Sequence, residues 1–332
     1  MFTTVAGRTA VRSVHRRSRL LFKRLRCVLQ GEANTENAKT AEQYSCLFPQ
    51  MISAWREAFQ APSLWFGFVQ LSTWCSASSP ASLPQMREAQ MAALALPHVG
   101  YATNADHGDG CAIHPAAKQY CSVRLARSAL AMHYNRTAIA WKSPSYKSAT
   151  LLSVVPLADS SGGDSGNNGG GAGAGGAGGG STVSVSVSLH DVSAAGLHAI
   201  YPANYDPPQI GSNWSHIPGA SGFGHTDCSA TFPATWPNGT NYNASMELQC
   251  AWASIEVGGA WHNASANVGA SGKEMVLTAA VPASSVVAAA AAAVGGVPLV
   301  ATATSYGWGP IPMMNIYNKD SDLPVLAWNK PL

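Results

Sequence analysis

The chain has 332 residues, 46% of them hydrophobic and 11% charged, with 32 Gly, 20 Pro and 10 Trp. That length holds two ordinary domains, and the apolar content excludes a chain disordered throughout. The net charge of +3 is uneven: the first 26 residues carry eight of the 20 basic side chains and no acid. The remainder therefore has twelve basic against 17 acidic residues, a balance that argues against a nucleic-acid binder.

Residues 1–26 read as a basic leader of the organelle-transit type or as a gene-model artefact. From Cys27 the pattern is α/β. A short apolar run, Cys27 to Leu29, meets a polar loop, and Tyr44, Phe48, Ile52, Trp55 and Phe59 recur at helical spacing over 41–59, with Pro49 expected to break or kink the helix. Residues 65–71 (WFGFVQL) predict a buried strand, 83–96 a helix, 99–103 a second strand and 115–133 a closing helix. Strands alternating with helices predict a parallel sheet with both faces covered, and Trp55, Trp65, Phe66 and Phe68 belong to its core.

Residues 158–181 form a Gly-rich linker or insertion that has no means of burying a core. TVSVSVSL at 182–189 alternates with period two, as a half-buried strand does. The stretch 182–332 reads as a β-rich, sandwich-like domain. Its most apolar segment, 286–303, is mostly Ala and is broken by Gly295, Gly296 and Pro298, so no membrane span is expected. Tyr306 and Trp308 read as a packed strand end.

Seven cysteines show no CxxC pair and no zinc-type Cys/His spacing. Cys228 and Cys250 both fall in the β-rich stretch and could form a disulfide if the protein is secreted, a pairing that spacing alone does not establish. Sequons at Asn135, Asn213, Asn238, Asn243 and Asn263 point to the secretory pathway, secreted or lysosomal, whereas the basic start points to an organelle.

Two loops carry candidate chemistry. Gln30-Gly31-Glu32-Ala33-Asn34-Thr35 gathers amides and a carboxylate beside a glycine at the end of a strand, where open α/β sheets bind ligands, and it also fits an ordinary polar turn. Asn104 to Pro115 holds Asp106, His107, Asp109 and His114. A carboxylate beside an imidazole can fix its tautomer for general-base work, while the same residues fit a solvated turn or a weak metal site at His107 and His114.

Taken together the blocks are more specific. QGEANT at 30–35, YSCLFPQMISAWREAF at 44–59, FGFVQLSTW at 66–74, LPQMREAQ at 83–90, GYATNADHGD at 100–109 and IHPAAKQ at 113–119 resemble, in order and spacing, the second half of the sialate O-acetylesterases, a family of SGNH hydrolases. The resemblance covers 27–150 and, loosely, TSYGW at 304–308 and Leu323-Pro324.

It implies an incomplete SGNH domain, a flavodoxin-like three-layer α/β/α hydrolase, over 27–150, followed by a β-rich accessory domain. The implied activity is removal of O-acetyl groups from sialic acid or a related sugar through a serine, with no metal or cofactor. His114 matches the family's general base. Asp109, with Asp106 in reserve, matches the acids that orient it, and Cys111 stands where many SGNH enzymes place the acid. Gln30, Gly31 and Asn34 match the block that helps form the oxyanion hole, and Glu32 is expected to brace that loop.

The family's nucleophilic serine precedes QGEANT, and no Ser-bearing strand-turn block is found there. Ser13 and Ser18 lie among arginines, and Gly163-Asp164-Ser165 falls inside the glycine tract, so the nucleophile is unknown. The expectation is a chain lacking the first half of the esterase, with one edge of its parallel sheet exposed. The rival reading is a non-catalytic carbohydrate-binding or interaction protein derived from the esterase.

Overall fold

The computed structural model describes residues 25–29, 31–36, 38–74, 82–106, 114, 118–157, 180–199, 253–285, 301–309, 312 and 314–332. Three parallel strands stand in the order β1 (Leu25–Leu29), β2 (Trp65–Gln70) and β3 (Val99–Thr103). Helix α1 (Ala38–Ala58) connects β1 to β2, α2 (Ser82–Met91) connects β2 to β3, and α3 (Gln119–Met132) follows. Helix α1 does not end at Pro49: it runs on for more than two turns, and the Ser53 hydroxyl donates to the Pro49 carbonyl at 3.0 Å.

Every residue of β2 is buried, as expected for a parallel strand covered on both faces. Phe66 and Phe68, with Val99 and Tyr101 of β3, pack against Tyr44, Phe48 and Ile52 of α1 and Leu83 and Met86 of α2. Trp55 is half-buried at the rim of the same core. On the opposite face the Trp65 indole lies across Gly67 and Gly100 beneath α3. A Cβ at Gly67 would stand 2.3 Å from Trp65 Cη2, and one at Gly100 would stand 2.0 Å from the Ser128 hydroxyl oxygen. The two glycines thus make the room that lets a Trp and a helix share one layer.

The second unit is one antiparallel sheet of seven strands, in the order β12 (Trp328–Pro331), β10 (Ala303–Tyr306), β7 (Ala253–Val257), β8 (Ala260–Val268), β9 (Glu274–Val281), β5 (Ser181–His190) and β4 (Ser145–Pro156). Strands β6 (Leu197–Ala199) and β11 (Ile316–Asn318) pair separately. Strands β4 and β5 pair along their length, so the Gly-rich tract joins two strands of one sheet. Val183, Val185 and Val187 point into the core, with Met275, Leu277 and Ile255, while the intervening Ser and Thr residues point away.

Among the described residues the β-rich stretch is one curled sheet with the β6–β11 pair packed on its core through Leu197 and Ile316. The single sheet curls until its edge strands meet: the Tyr146 hydroxyl of β4 donates to the Pro331 carbonyl of β12 at 2.9 Å, and its ring packs 5.6 Å from that of Trp328. Tyr306 is fully buried, stacks on Trp328 at 5.0 Å and donates to Asn315 Oδ1, a packed strand end as its position predicts. Trp308 is half-buried. No described helix is long and apolar enough to cross a membrane. Cys46 and Cys121 are free thiols, and Cys228 and Cys250 lie outside the described residues.

Replacing Gly100 by Ala should cost about 1–3 kcal/mol through overpacking against Ser128 and Trp65. Urea unfolding should show a lower midpoint at unchanged slope, and an unmoved midpoint would show that the layer has slack.

Candidate active site

Because β1, β2 and β3 are parallel, their carboxyl ends lie at one end of the sheet, and the segments leaving β1 and β3 are two strand spacings apart, about 10 Å. After β1, Gly31 takes φ +131°, a conformation that L side chains rarely adopt. Its α-carbon faces the Met86 and Leu71 side chains, which seats the loop on the middle of α2 and the residue after β2. Residues Glu32–Glu36 then form a 3-10 turn. The Asn34 amide donates to the Gly31 carbonyl at 2.9 Å, the Thr35 hydroxyl to the Glu32 carbonyl at 2.7 Å, and the Thr40 hydroxyl to the Asn34 carbonyl at 2.6 Å. Burial, with the nearby Glu32 charge adding to it, pushes the Tyr44 phenol above its ordinary pKa. Gln30 lies outside the described residues.

The end of β2 is held by side chains of α2. The Leu71 amide donates to Gln90 Oε1 at 3.0 Å, and Gln90 Nε2 donates back to the Val69 carbonyl at 3.2 Å. Arg87 is fully buried and donates to the carbonyls of Leu71, Ser72 and Gly309 at 2.7–2.8 Å, tying the strand end to the TSYGW region of the second unit. Burial lowers the pKa of its guanidinium, which stays charged at neutral pH. Within this edge Ser72 Oγ, Thr73 Oγ1 and Asn104 Oδ1 are buried with no hydrogen-bond partner among the described residues. They are three of nine such atoms among the described residues, so they do not by themselves mark the strand ends as a site.

After β3 comes Asp106, which is buried. Its two oxygens accept from Arg124 of α3 in a bidentate pair, 2.6 Å from Nη1 and 2.8 Å from Nη2, and the Tyr317 hydroxyl of β11 donates to Oδ2 at 3.3 Å. Arg124 also donates to the carbonyls of Thr103 and Asp322, and Arg127 to that of Ser321. Burial alone would lower the Arg124 pKa, but the charge and hydrogen bonds of Asp106 outweigh it, and the net shift is upward. His114 is exposed, and Asp109 lies outside the described residues, as do Ser13, Ser18, His107, Cys111 and Ser165. Among the described residues no three His, Cys, Asp or Glu side chains group so as to hold a metal ion.

A family model of carbohydrate esterases, the sialic acid-specific acetylesterases, matches residues 7–131. That segment is similar to the sialic acid-specific acetylesterases. The match begins inside the basic opening segment and ends within α3. A sialate O-acetylesterase of Mus musculus is 31% identical over 141 residues, which cover 37% of this chain and 26% of the mouse protein. The crystal structure of a carbohydrate acetylesterase from Xanthomonas citri matches over 92% of this chain and 49% of its own length, with a TM-score of 0.54 at 20% identity, a likeness of fold. The chain thus spans about a quarter of the mouse relative and about half of the bacterial one.

Within the matched segment, sequence reasoning picked out Asp106 but missed what holds it. One signal was available: Arg124 falls on the face of α3 that carries Cys121 and Ser128, and a buried guanidinium on such a face calls for a buried acid. Tyr317 lies 211 residues from Asp106, and no local pattern connects them. Asp106→Asn, which strands the Arg124 charge, should cost about 3–5 kcal/mol. The double variant Asp106→Leu with Arg124→Met should cost clearly less in urea denaturation. Equal losses in the two variants would show that burial of the ion pair is not what matters.

Proposed function

We propose that this chain acts in the hydrolysis of acetyl esters on sialic acid or a related sugar, at the carboxyl ends of β1 and β3. The observation that carries the reading is the placement of the Gly31 loop and the Asn104–Asp106 turn at one end of a parallel sheet, inside the segment that the acetylesterase family model matches. The helices on both faces of that sheet support an SGNH-type α/β/α hydrolase, with the curled sheet as its accessory domain.

In this reading a serine, not assigned in this sequence, attacks the acetyl carbonyl. His114 takes the serine proton as general base and returns it to the departing sugar oxygen, leaving an acetyl-serine. A water deprotonated by the same imidazole then releases acetate. Asp109 orients His114, because both oxygens of Asp106 are engaged by Arg124. Gln30, Gly31 and Asn34 supply hydrogen-bond donors for the oxyanion, each donor worth about 3 kcal/mol of barrier. Glu32 shapes the turn that presents them. The mechanism calls on no metal or organic cofactor. A substrate of this kind fits a chain that travels the secretory route.

The test is acetate release from O-acetylated sialic acid by the native protein. His114→Gln should lower kcat about a hundred- to ten-thousand-fold with KM little changed, and Asp109→Asn should follow it. A His114→Gln protein of unchanged kcat, or a native protein that releases no acetate, would overturn the reading.

A further inference from the structure

Strand β8 turns two different faces to its surroundings. Ala264, Ala266 and Val268 pack on the core of the curled sheet, while Trp261, Asn263 and Ser265 lie on the outer face and are exposed. Trp261 keeps 44% of its surface accessible. An indole on the solvent side of a strand is a large apolar surface with a polar N–H at its edge.

Two positions beyond it stands Asn263, followed by Ala264 and Ser265, which is an N-glycosylation acceptor triplet. Side chains at i and i+2 of a strand share one face and stand about 7 Å apart. A sugar joined to the Asn263 carboxamide is therefore within reach of the Trp261 ring, and the C–H face of a pyranose is the kind of surface an indole covers. The ladder puts Ser254 of β7 opposite Asn263, Glu256 opposite Trp261 and Thr278 of β9 opposite Ser265, so the side chains beside the acceptor are small and polar and the one beside the indole is acidic.

We propose that Asn263 carries an N-linked glycan whose first sugar stacks on Trp261. The donor class is a lipid-diphosphate-linked oligosaccharide. The Asn263 side-chain nitrogen forms a bond to its anomeric carbon, the bond from that carbon to the phosphate oxygen breaks, the amide loses one proton, and the lipid diphosphate departs. The second exposed sequon among the described residues, Asn135, sits in a turn after α3 with φ +54° and has His133, not a Trp, two positions before it. The inference does not use the esterase reading and stands or falls apart from it.

The experiment is peptide mass spectrometry on the protein purified from its native source, after enzymatic deglycosylation in heavy-oxygen water. The expected result is recovery of residue 263 as labelled aspartate, and recovery as unmodified asparagine would overturn the proposal. In a eukaryotic secretory host, Asn263→Gln and Ser265→Ala should each remove one glycan-sized step of gel mobility, while Ser265→Thr should keep it. Trp261→Ala should lower the occupied fraction at Asn263, and unchanged occupancy would overturn the stacking contact.

Discussion

The structure depends most on the bidentate pair between Asp106 and Arg124. Two opposite charges taken out of water cost several kcal/mol each unless geometry and further hydrogen bonds compensate. Here the carboxylate receives two guanidinium N–H groups and a phenol, and the guanidinium spends other donors on the carbonyls of Thr103 and Asp322. Those partners come from β3, α3, β11 and the turn after it, so one ion pair fastens the parallel sheet to the second unit. Around it the two cores exchange residues: Ala105, next to the acid, packs in the core of the curled sheet, and Leu326 packs in that of the parallel sheet.

The same junction governs what lies at the strand ends. Arg87 performs at β2 what Arg124 performs at β3, holding strand-end carbonyls from one side and a loop of the second unit from the other. With Gln90 closing the ladder beyond Val69, the end of β2 is held by side chains, and the turn after β1 needs Gly31 because its φ of +131° is one that L side chains rarely adopt. An ester-hydrolysing site needs its donors and its base fixed in position before the substrate arrives. A framework of buried guanidinium groups bonded to backbone carbonyls supplies that kind of rigidity.

Much of the parallel sheet was legible because its signals are local. The run from Trp65 to Gln70 is too apolar for anything but a covered strand, and Tyr44, Phe48 and Ile52 mark one helical face that the structure buries against it. Of the break or kink expected at Pro49, the break does not occur, and the helix continues past it despite the lost hydrogen bond. The alternation of Val183, Val185 and Val187 told strand from helix but not how the sheet closes, because closure is decided by Tyr146 meeting Trp328, 182 positions later in the chain. In the candidate site the two strand-end loops were visible as clusters of polar residues beside glycine. The partner of Asp106 was not, because it sits on a helix face and on a strand from the far end of the chain.

The central claim is that the carboxyl ends of β1 and β3 receive the sugar. The most direct measurement is a titration of the isotope-labelled protein with sialic acid, the product without its acetyl group, followed by amide chemical shifts. The account predicts saturable shifts at Gly31, Asn34, Asn104 and Asp106. Shifts confined to the outer face of the curled sheet, or none at the strand ends, would contradict it.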